Sequence, residues 1–204
     1  MNYKHIFSVI PLLFLFAFAN AQDSIKTDFL NKVNLFYDQL QTLTSNFEQV
    51  KTISIVTEDL VATGVFYYQK PGLIKWDQKE PDTYYFLINE NEIIRFNGHK
   101  RQKLSPASPQ AIIFKDFIMG TVDGSIFNDN RFLSSFSKVD NVIVVNLIPK
   151  EKTMKKRIEK VILRFNYNTI FLNTLMIEEI GGDKTVINFF NQQINTDLDK
   201  TTFQ

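Results

Sequence analysis

Apolar residues recur at two different spacings along the chain, and the spacing changes near Thr44. Before that point the apolar positions fall three or four residues apart, as on one face of a helix. These positions are Ile25, Phe29, Val33, Phe36, Leu40 and Leu43. Asp23 or Ser24 can cap the start of such a helix. The pattern predicts an amphipathic helix whose apolar face packs on a core or, alternatively, covers a cavity; the spacing by itself favours the core.

After Thr44 the chain consists of short runs rich in β-branched and aromatic residues, which are typical of strands. The predicted strands are 46–56, 60–69, 72–78, 83–89, 92–97, 100–104, 131–138, 141–148, 157–166, 171–180 and 184–195. Most separators are short turns, such as Lys70-Pro71-Gly72 and Gly181-Gly182-Asp183. Because parallel neighbours need a long crossover, short turns predict antiparallel meanders.

Residues 105–130 interrupt the strands. Pro106 and Pro109 break regular structure, and Ala111–Thr121 then has a helical apolar spacing, followed by a loop-like stretch. An open twisted sheet rarely exceeds about 10 strands without curling or splitting. We therefore expect an α+β fold, in which a strongly curled antiparallel sheet forms an unclosed β-barrel with helices in its mouth.

Alternation within the strands assigns apolar side chains to common faces. The groups that share a face are Phe66 with Tyr68, Ile74 with Trp76, Tyr84 with Phe86 and Ile88, Ile94 with Phe96, Val161 with Leu163 and Phe165, and Ile187 with Phe189. Each group predicts a strand with a buried face. The alternation does not distinguish a face that meets other side chains from one that meets a bound lipid.

The N-terminus has the three parts of a secretory signal peptide. Lys4 and His5 are basic, residues 6–18 are apolar, and Ala19-Asn20-Ala21 is a small-residue cleavage site. The apolar run of about a dozen residues is shorter than the roughly 20 needed to span a bilayer. We expect a signal peptide at 1–21, export from the cytoplasm, and one domain at 22–204.

Charge and composition exclude several functional classes. Without residues 1–21 the chain has 22 basic and 22 acidic residues, so nothing favours nucleic acid as a partner. It keeps one histidine, His99, which we expect to be exposed in a turn, and it has no cysteine. No catalytic triad, metal or cofactor motif is present, and we expect a protein that is not an enzyme. The basic run Lys150–Lys160 predicts a charged hairpin tip or, alternatively, a docking patch for an acidic partner.

Several blocks of sequence form a recognisable set. They are Phe47-Glu48-Gln49, the stretch GVFYYQKPGLIKW at 64–76, Pro81, and towards the C-terminus Ile187-Asn188-Phe189-Phe190-Asn191, Asn195 and Phe203. These blocks resemble the LolA family of periplasmic carriers of outer-membrane lipoproteins, whose pattern is F-x-Q, then G-x-[FL]-x-[VY]-x-[KR]-P-x-x-[FIL]-x-W, then a proline. The resemblance extends over essentially all of residues 22–204.

The resemblance implies an unclosed barrel with helices as a lid over a hydrophobic cavity. Family members take acylated lipoproteins from an inner-membrane ABC transporter and pass them to an outer-membrane acceptor. The resemblance therefore implies a location in the periplasm of a Gram-negative cell, and we expect a monomer without cofactors. Together with the alternation, the resemblance gives the candidate lipid-binding residues Phe47, Phe66, Tyr68, Ile74, Trp76, Phe86, Ile88, Phe96, Leu163 and Phe165. The candidate lid or gating residues are Lys70, Ile112, Ile113 and Phe117.

Lys70 departs from the family, which usually has arginine at this position to hydrogen-bond the lid. Lysine offers one mobile ammonium instead of a planar fork of five donors, so we expect looser closure. This departure keeps a second hypothesis open, a carrier of a free lipid such as an aryl or fatty acyl species. A third is a lipid-sensing regulator domain, although such proteins normally carry a second domain.

Overall fold

One sheet of eleven strands forms the framework of the fold. The computed structural model describes residues 11–89, 91–105, 108 and 117–204, with the backbone alone for 11–22. The strands are β1 (Thr42–Thr52), β2 (Leu60–Gln69), β3 (Leu73–Glu80), β4 (Tyr84–Ile88), β5 (Ile93–Phe96), β6 (Arg101–Lys103), β7 (Phe132–Val139), β8 (Val142–Pro149), β9 (Ile158–Asn166), β10 (Leu172–Glu179) and β11 (Lys184–Ile194). Each of the eleven predicted strands is present, with boundaries that differ by up to four residues.

The sheet consists of two antiparallel meanders, β1 to β6 and β7 to β11, joined where β1 pairs with β11. Strands β6 and β7 are the two edges, so the sheet is not closed into a barrel. The predicted α+β fold with an unclosed antiparallel sheet is confirmed. Edge strand β6 is three residues long, and all three are exposed; two of them, Arg101 and Lys103, are charged. Short charged edges of this kind discourage pairing with another chain.

Helix α1 (Pro11–Gln39) precedes the sheet and packs across its concave face. The predicted start at Asp23 or Ser24 is wrong, because the helix continues back to Pro11. Leu43 is also not helical, because it lies in β1. It is buried there, and its distance of three residues from Leu40 made it resemble a further position of the helical stripe. In the part of the chain that the structure describes, no helix is long and apolar enough to cross a membrane. The signal peptide at 1–21 stays a prediction.

The connection from β6 to β7 joins the two sheet edges. Its described part contains a π-helical turn at 117–119 and helix α2 (Gly120–Val122). A 3₁₀ helix (Ser125–Asn128) follows within 123–130, the stretch that the sequence predicts as a loop. The helix predicted at 111–121 lies partly outside the described residues. A second connection, between β8 and β9, contains the short helix α3 (Lys152–Lys155) within the basic run predicted as a hairpin tip.

Candidate functional site

Four phenylalanine rings pack together between α1 and the β7–β9 half of the sheet. We call them the first ring cluster: Phe29, Phe127, Phe136 and Phe165. The centroid of Phe29 lies 5.1 Å from those of Phe127 and Phe165 and 6.0 Å from that of Phe136. Phe29 is fully buried. Edge-to-face and tilted rings at these distances attract one another beyond the area that they bury, so this cluster fixes α1 to the sheet.

Four more aromatic side chains form a second ring cluster over β1 to β3 and β11: Phe47, Phe66, Trp76 and Phe189. Phe47 stacks on Trp76 with 3.8 Å between centroids, and Phe189 lies 6.1 Å from Phe66 and 6.2 Å from Trp76. Gly64 lies opposite Phe47, and a Cβ at Gly64 would come within 2.7 Å of the Phe47 ring. The glycine therefore lets this ring lie flat against the strand backbone.

A cavity of about 50 Å³ lies between the two ring clusters. Its wall comes from α1, the segment 118–122, the turn between β9 and β10, and the central strands. The lining residues are Val33, Phe36, Leu43, Ser45, Phe66, Ile118, Thr121, Val122, Phe165, Ile170, Phe171, Leu172, Phe189 and Gln192. Eleven of these are apolar. The cavity can therefore hold an apolar group and offers few hydrogen bonds.

Three polar side chains border the cavity, and two of them are already engaged. The Ser45 hydroxyl donates to the carbonyl oxygen of Asn46 at 2.9 Å, and Nε2 of Gln192 donates to that of Leu172 at 2.9 Å. The hydroxyl of Thr121 is buried, and within the described residues it has no hydrogen-bond partner. Thr121 is thus the polar side chain of the cavity wall that has no hydrogen-bond partner among the described residues.

A second buried hydroxyl belongs to Tyr68 and lies beside Tyr37. Burial raises the pKa of this phenol above its ordinary value, and the neighbouring Tyr37 and Asp123 add to the effect. Tyr68 therefore stays neutral at physiological pH. Its position next to Tyr37 of α1 and Asp123 places it where the helices meet the sheet.

Lys70 joins the end of α1 to the turn between β2 and β3. Its ammonium donates to the carbonyl oxygens of Tyr37 at 3.1 Å and Asp38 at 3.4 Å, and it lies 4.5 Å from the centroid of the Tyr37 ring. Cations are favourable at a helix C-terminus because the last carbonyls lack intrahelical partners. The Lys70 amide also donates to the carbonyl of Gln41 at 2.8 Å. Lysine thus binds the helix by two hydrogen bonds.

Nine of the ten candidate lipid-binding residues lie inside the fold, in two groups. Phe66 and Phe165 line the cavity. Seven others are buried in the same hydrophobic core without bordering the cavity: Phe47, Tyr68, Ile74, Trp76, Phe86, Ile88 and Leu163.

Phe96 is the exception, and the inward position that we predicted for it is wrong. The register pairs Phe86 with Arg95 and Tyr85 with Phe96, so Phe96 lies on the convex face. Its ring contacts Tyr85 at 5.0 Å, while the Arg95 guanidinium lies over the Tyr84 ring at 4.8 Å. The prediction failed because both faces of β5 carry apolar residues: Ile93 lies on the same face as Arg95, and Ile94 lies on the same face as Phe96. Alternation separates the two faces but does not say which of them is concave.

Of the candidate lid residues, Ile112 and Ile113 lie outside the described residues. Phe117 is fully buried and its ring lies 5.8 Å from that of Phe132. Next to it, Ile118 borders the cavity. The segment that follows the undescribed stretch therefore lies over the concave face, next to strand β7.

Sequence reasoning missed several cavity residues. Val33 and Phe36 belong to the helical stripe, and Phe189 belongs to the alternation in β11, so both signals were present. Ile170 and Phe171 lie in a turn where Ile170 has a positive φ of 59°, and no periodicity marks them. Thr121 gave no signal because a lone threonine near a helix end is unremarkable in sequence.

Among the residues that the structure describes, no group of three or more histidine, cysteine, aspartate or glutamate side chains could hold a metal ion. His99 is exposed, as predicted. The arrangement is instead an apolar cavity between a helix and an unclosed antiparallel sheet, which defines an α+β binding protein.

The protein belongs to the LolA family, since the family model for outer membrane lipoprotein carrier protein LolA matches residues 38–204. The chain is 24% identical over 170 residues to an outer-membrane lipoprotein carrier protein of Pseudoalteromonas translucida, covering 82% of this chain and 79% of that one. A protein of the same name from Azotobacter vinelandii is 23% identical over 195 residues, covering 95% and 91%. The family resemblance predicted from the sequence is confirmed.

A solved structure supports the fold independently. A domain described as an outer membrane lipoprotein-sorting protein, from Vibrio parahaemolyticus, superposes with a TM-score of 0.50 at 10% identity, covering 86% of this chain and 94% of that one. The LolA family and the carrier relatives are binding proteins without enzymatic activity, so the prediction that this protein is not an enzyme is also confirmed.

Proposed function

We propose that this protein is a periplasmic carrier that shields the acyl chains of lipoproteins in the cavity between α1 and the sheet. It would receive them from an inner-membrane ABC transporter and deliver them to an outer-membrane acceptor. The observation that carries the proposal is the cavity itself: apolar, bordered by both ring clusters, and found in a chain of the LolA family. Residues 1–21 would direct export and be removed.

The energetics explain why such a carrier is needed. Each methylene group exposed to water costs about 0.8 kcal/mol, so an acyl chain of about 15 methylenes costs about 12 kcal/mol. Apolar contact is non-directional, so a wall of aromatic rings can hold such a chain and release it without breaking specific bonds. The two ring clusters supply a wall of this kind.

The cavity must widen to accept an acyl chain. Its volume of about 50 Å³ is well below the roughly 150 Å³ of an apolar cavity that takes up benzene. The first ring cluster occupies the space beside it, so loading requires α1 to move away from the sheet. Lys70, which fastens the end of α1, would then act as the latch of this lid.

Two neighbouring residues of α1 provide a matched test. Phe36 borders the cavity, whereas the neighbouring Leu35 is 62% exposed to solvent. We expect Phe36→Asp to abolish binding of a fluorescent acyl probe, because it places a carboxylate in an apolar wall. Leu35→Asp should bind like the wild type, and circular dichroism checks that both variants are folded. Equal binding by Phe36→Asp and Leu35→Asp would refute this cavity as the acyl site.

The cargo is tested by what co-purifies. The full-length chain is expressed in a Gram-negative host, isolated gently from the periplasm and examined by mass spectrometry. Acylated polypeptides should accompany the wild type and be absent from Phe36→Asp. A lipid without a polypeptide would instead make the protein a free-lipid carrier, the function that the lysine at position 70 keeps open.

A further inference from the structure

The wall of the cavity contains one polar group that the hydrophobic mechanism does not use. Thr121 lies in α2, is 5% exposed and borders the cavity, and its hydroxyl has no partner among the described residues. A buried hydroxyl without a hydrogen bond destabilises the fold, and such groups are rare in native proteins. A valine would fill the same space without this destabilisation, so packing alone does not explain the hydroxyl.

The other polar side chains of the wall already have hydrogen-bond partners. Ser45 and Gln192 each donate to a backbone carbonyl oxygen at 2.9 Å. Thr121 is therefore the side chain of this wall whose hydrogen-bonding group has no partner among the described residues. A hydroxyl rotates freely and can donate to any acceptor that comes within about 3 Å. An acyl chain has one strong acceptor, the carbonyl oxygen of its ester or amide linkage.

We propose that Thr121 donates a hydrogen bond to the ester carbonyl oxygen of a bound acyl group. This inference rests on the proposed function, since it assumes that the cavity is the acyl site. It adds a direction to the bound chain, because the carboxyl end must lie at α2 beside Ile118 and Val122. A hydrocarbon tail in that place would leave the hydroxyl without a partner in the loaded state as well. The cavity thereby selects ester-linked chains over chains that lack a carbonyl.

The test compares ligands that differ in that carbonyl alone. The first pair is a synthetic lipopeptide whose N-terminal cysteine carries two ester-linked palmitoyl glyceryl chains, and its ether-linked analogue. A phosphatidylethanolamine with ester or ether linkages forms the second pair and distinguishes a lipoprotein from a free lipid as the source of the ester. Affinities are measured on the full-length protein by displacement of a fluorescent acyl probe. We expect the wild type to prefer the ester about two- to twelvefold, which is the usual net contribution of one hydrogen bond.

Variants at the same position assign the preference to the hydroxyl. Thr121→Val should remove the ester preference, whereas Thr121→Ser, which keeps a hydroxyl, should retain it. In the free protein, Thr121→Val should raise the melting temperature, because it removes an unpaired buried hydroxyl. A purely structural role for Thr121 would instead lower the melting temperature and leave the ester preference intact.

Failure of the inference is distinguishable from failure of the proposed function. Equal wild-type affinities for the ester and ether ligands, or an undiminished preference in Thr121→Val, would overturn the inference while acyl binding stands. Absence of binding by every ligand would overturn both. An ester preference within the phospholipid pair, without binding of either lipopeptide, would support the hydrogen bond and refute the lipoprotein as cargo.

Discussion

Replacing Phe29 by alanine tests whether the inner face of α1 occupies the space that an acyl chain would fill. Phe29 is fully buried, and three rings of the first ring cluster lie within 6.0 Å of its centroid. Phe→Ala in a core costs about 3–5 kcal/mol, and each favourable ring pair is worth about 0.5–1.5 kcal/mol. With three ring pairs lost, we expect a decrease of about 4 kcal/mol in the free energy of unfolding.

The same substitution should make room for a ligand. Removing the ring leaves space next to Phe165, which borders the cavity. A ligand that binds the folded state stabilises it by about 2.7 kcal/mol at a concentration of 100 times its dissociation constant. Because α1 no longer has to be displaced as far, an acyl ligand should stabilise Phe29→Ala more than it stabilises the wild type.

The assay is urea unfolding followed by circular dichroism, with and without a saturating acyl ligand. Leu35→Ala is the matched control on the same helix, because Leu35 is 62% exposed; a surface substitution of this kind usually changes stability by less than about 0.5 kcal/mol. A loss below about 1 kcal/mol for Phe29→Ala would contradict the packing of α1 described above. An equal ligand-induced shift in variant and wild type would refute the idea that this ring occupies the ligand's space.

Three further predictions concern the second ring cluster, Lys70 as the latch of the lid, and the ion pair between Arg131 and Asp129. Gly64→Ala should lower the melting temperature, because the added Cβ would overlap the Phe47 ring and the Asp77 carbonyl, and overpacking typically costs about 1–3 kcal/mol; an unchanged melting temperature would contradict it. Lys70→Met should speed uptake of an acyl probe in stopped-flow fluorescence, because two hydrogen bonds to the end of α1 are lost, whereas Lys70→Arg should not. The hydrogen bond from the Arg131 side chain holds the pKa of the Asp129 carboxyl below its usual range. The carboxylate therefore stabilises the fold above its unfolded-state pKa, and this contribution is lost as pH falls through the lowered folded-state pKa. Asp129→Asn should accordingly lower the urea midpoint at neutral pH, with a difference that disappears in acid.

The strand pattern was predictable because it depends on neighbours in sequence. Turn residues separate runs of alternating residues, and both signals act over fewer than ten positions, so each of the eleven strands was found. The number of strands, together with the twist of β-sheets, then required curling. The helical stripe from Phe29 to Phe36 likewise identified the face of α1 that packs on the sheet.

Other features depend on contacts between distant segments, and local pattern does not contain them. Alternation sorts residues into two faces but does not name the concave one, so Phe96 was misplaced until the pairing with Tyr85 assigned it. Trp76 was predicted to line the cavity, yet it stacks on Phe47, because Gly64 lets that ring reach it.

The sequence by itself determined an α+β protein with an unclosed antiparallel sheet and a LolA-like character. The tertiary structure alone decided where the cavity lies and which group in its wall has no partner among the described residues. Those properties arise where α1, the segment 118–122 and the central strands meet. The hydroxyl of Thr121 is buried there without a hydrogen-bond partner among the described residues, which is unfavourable because burial removes it from water.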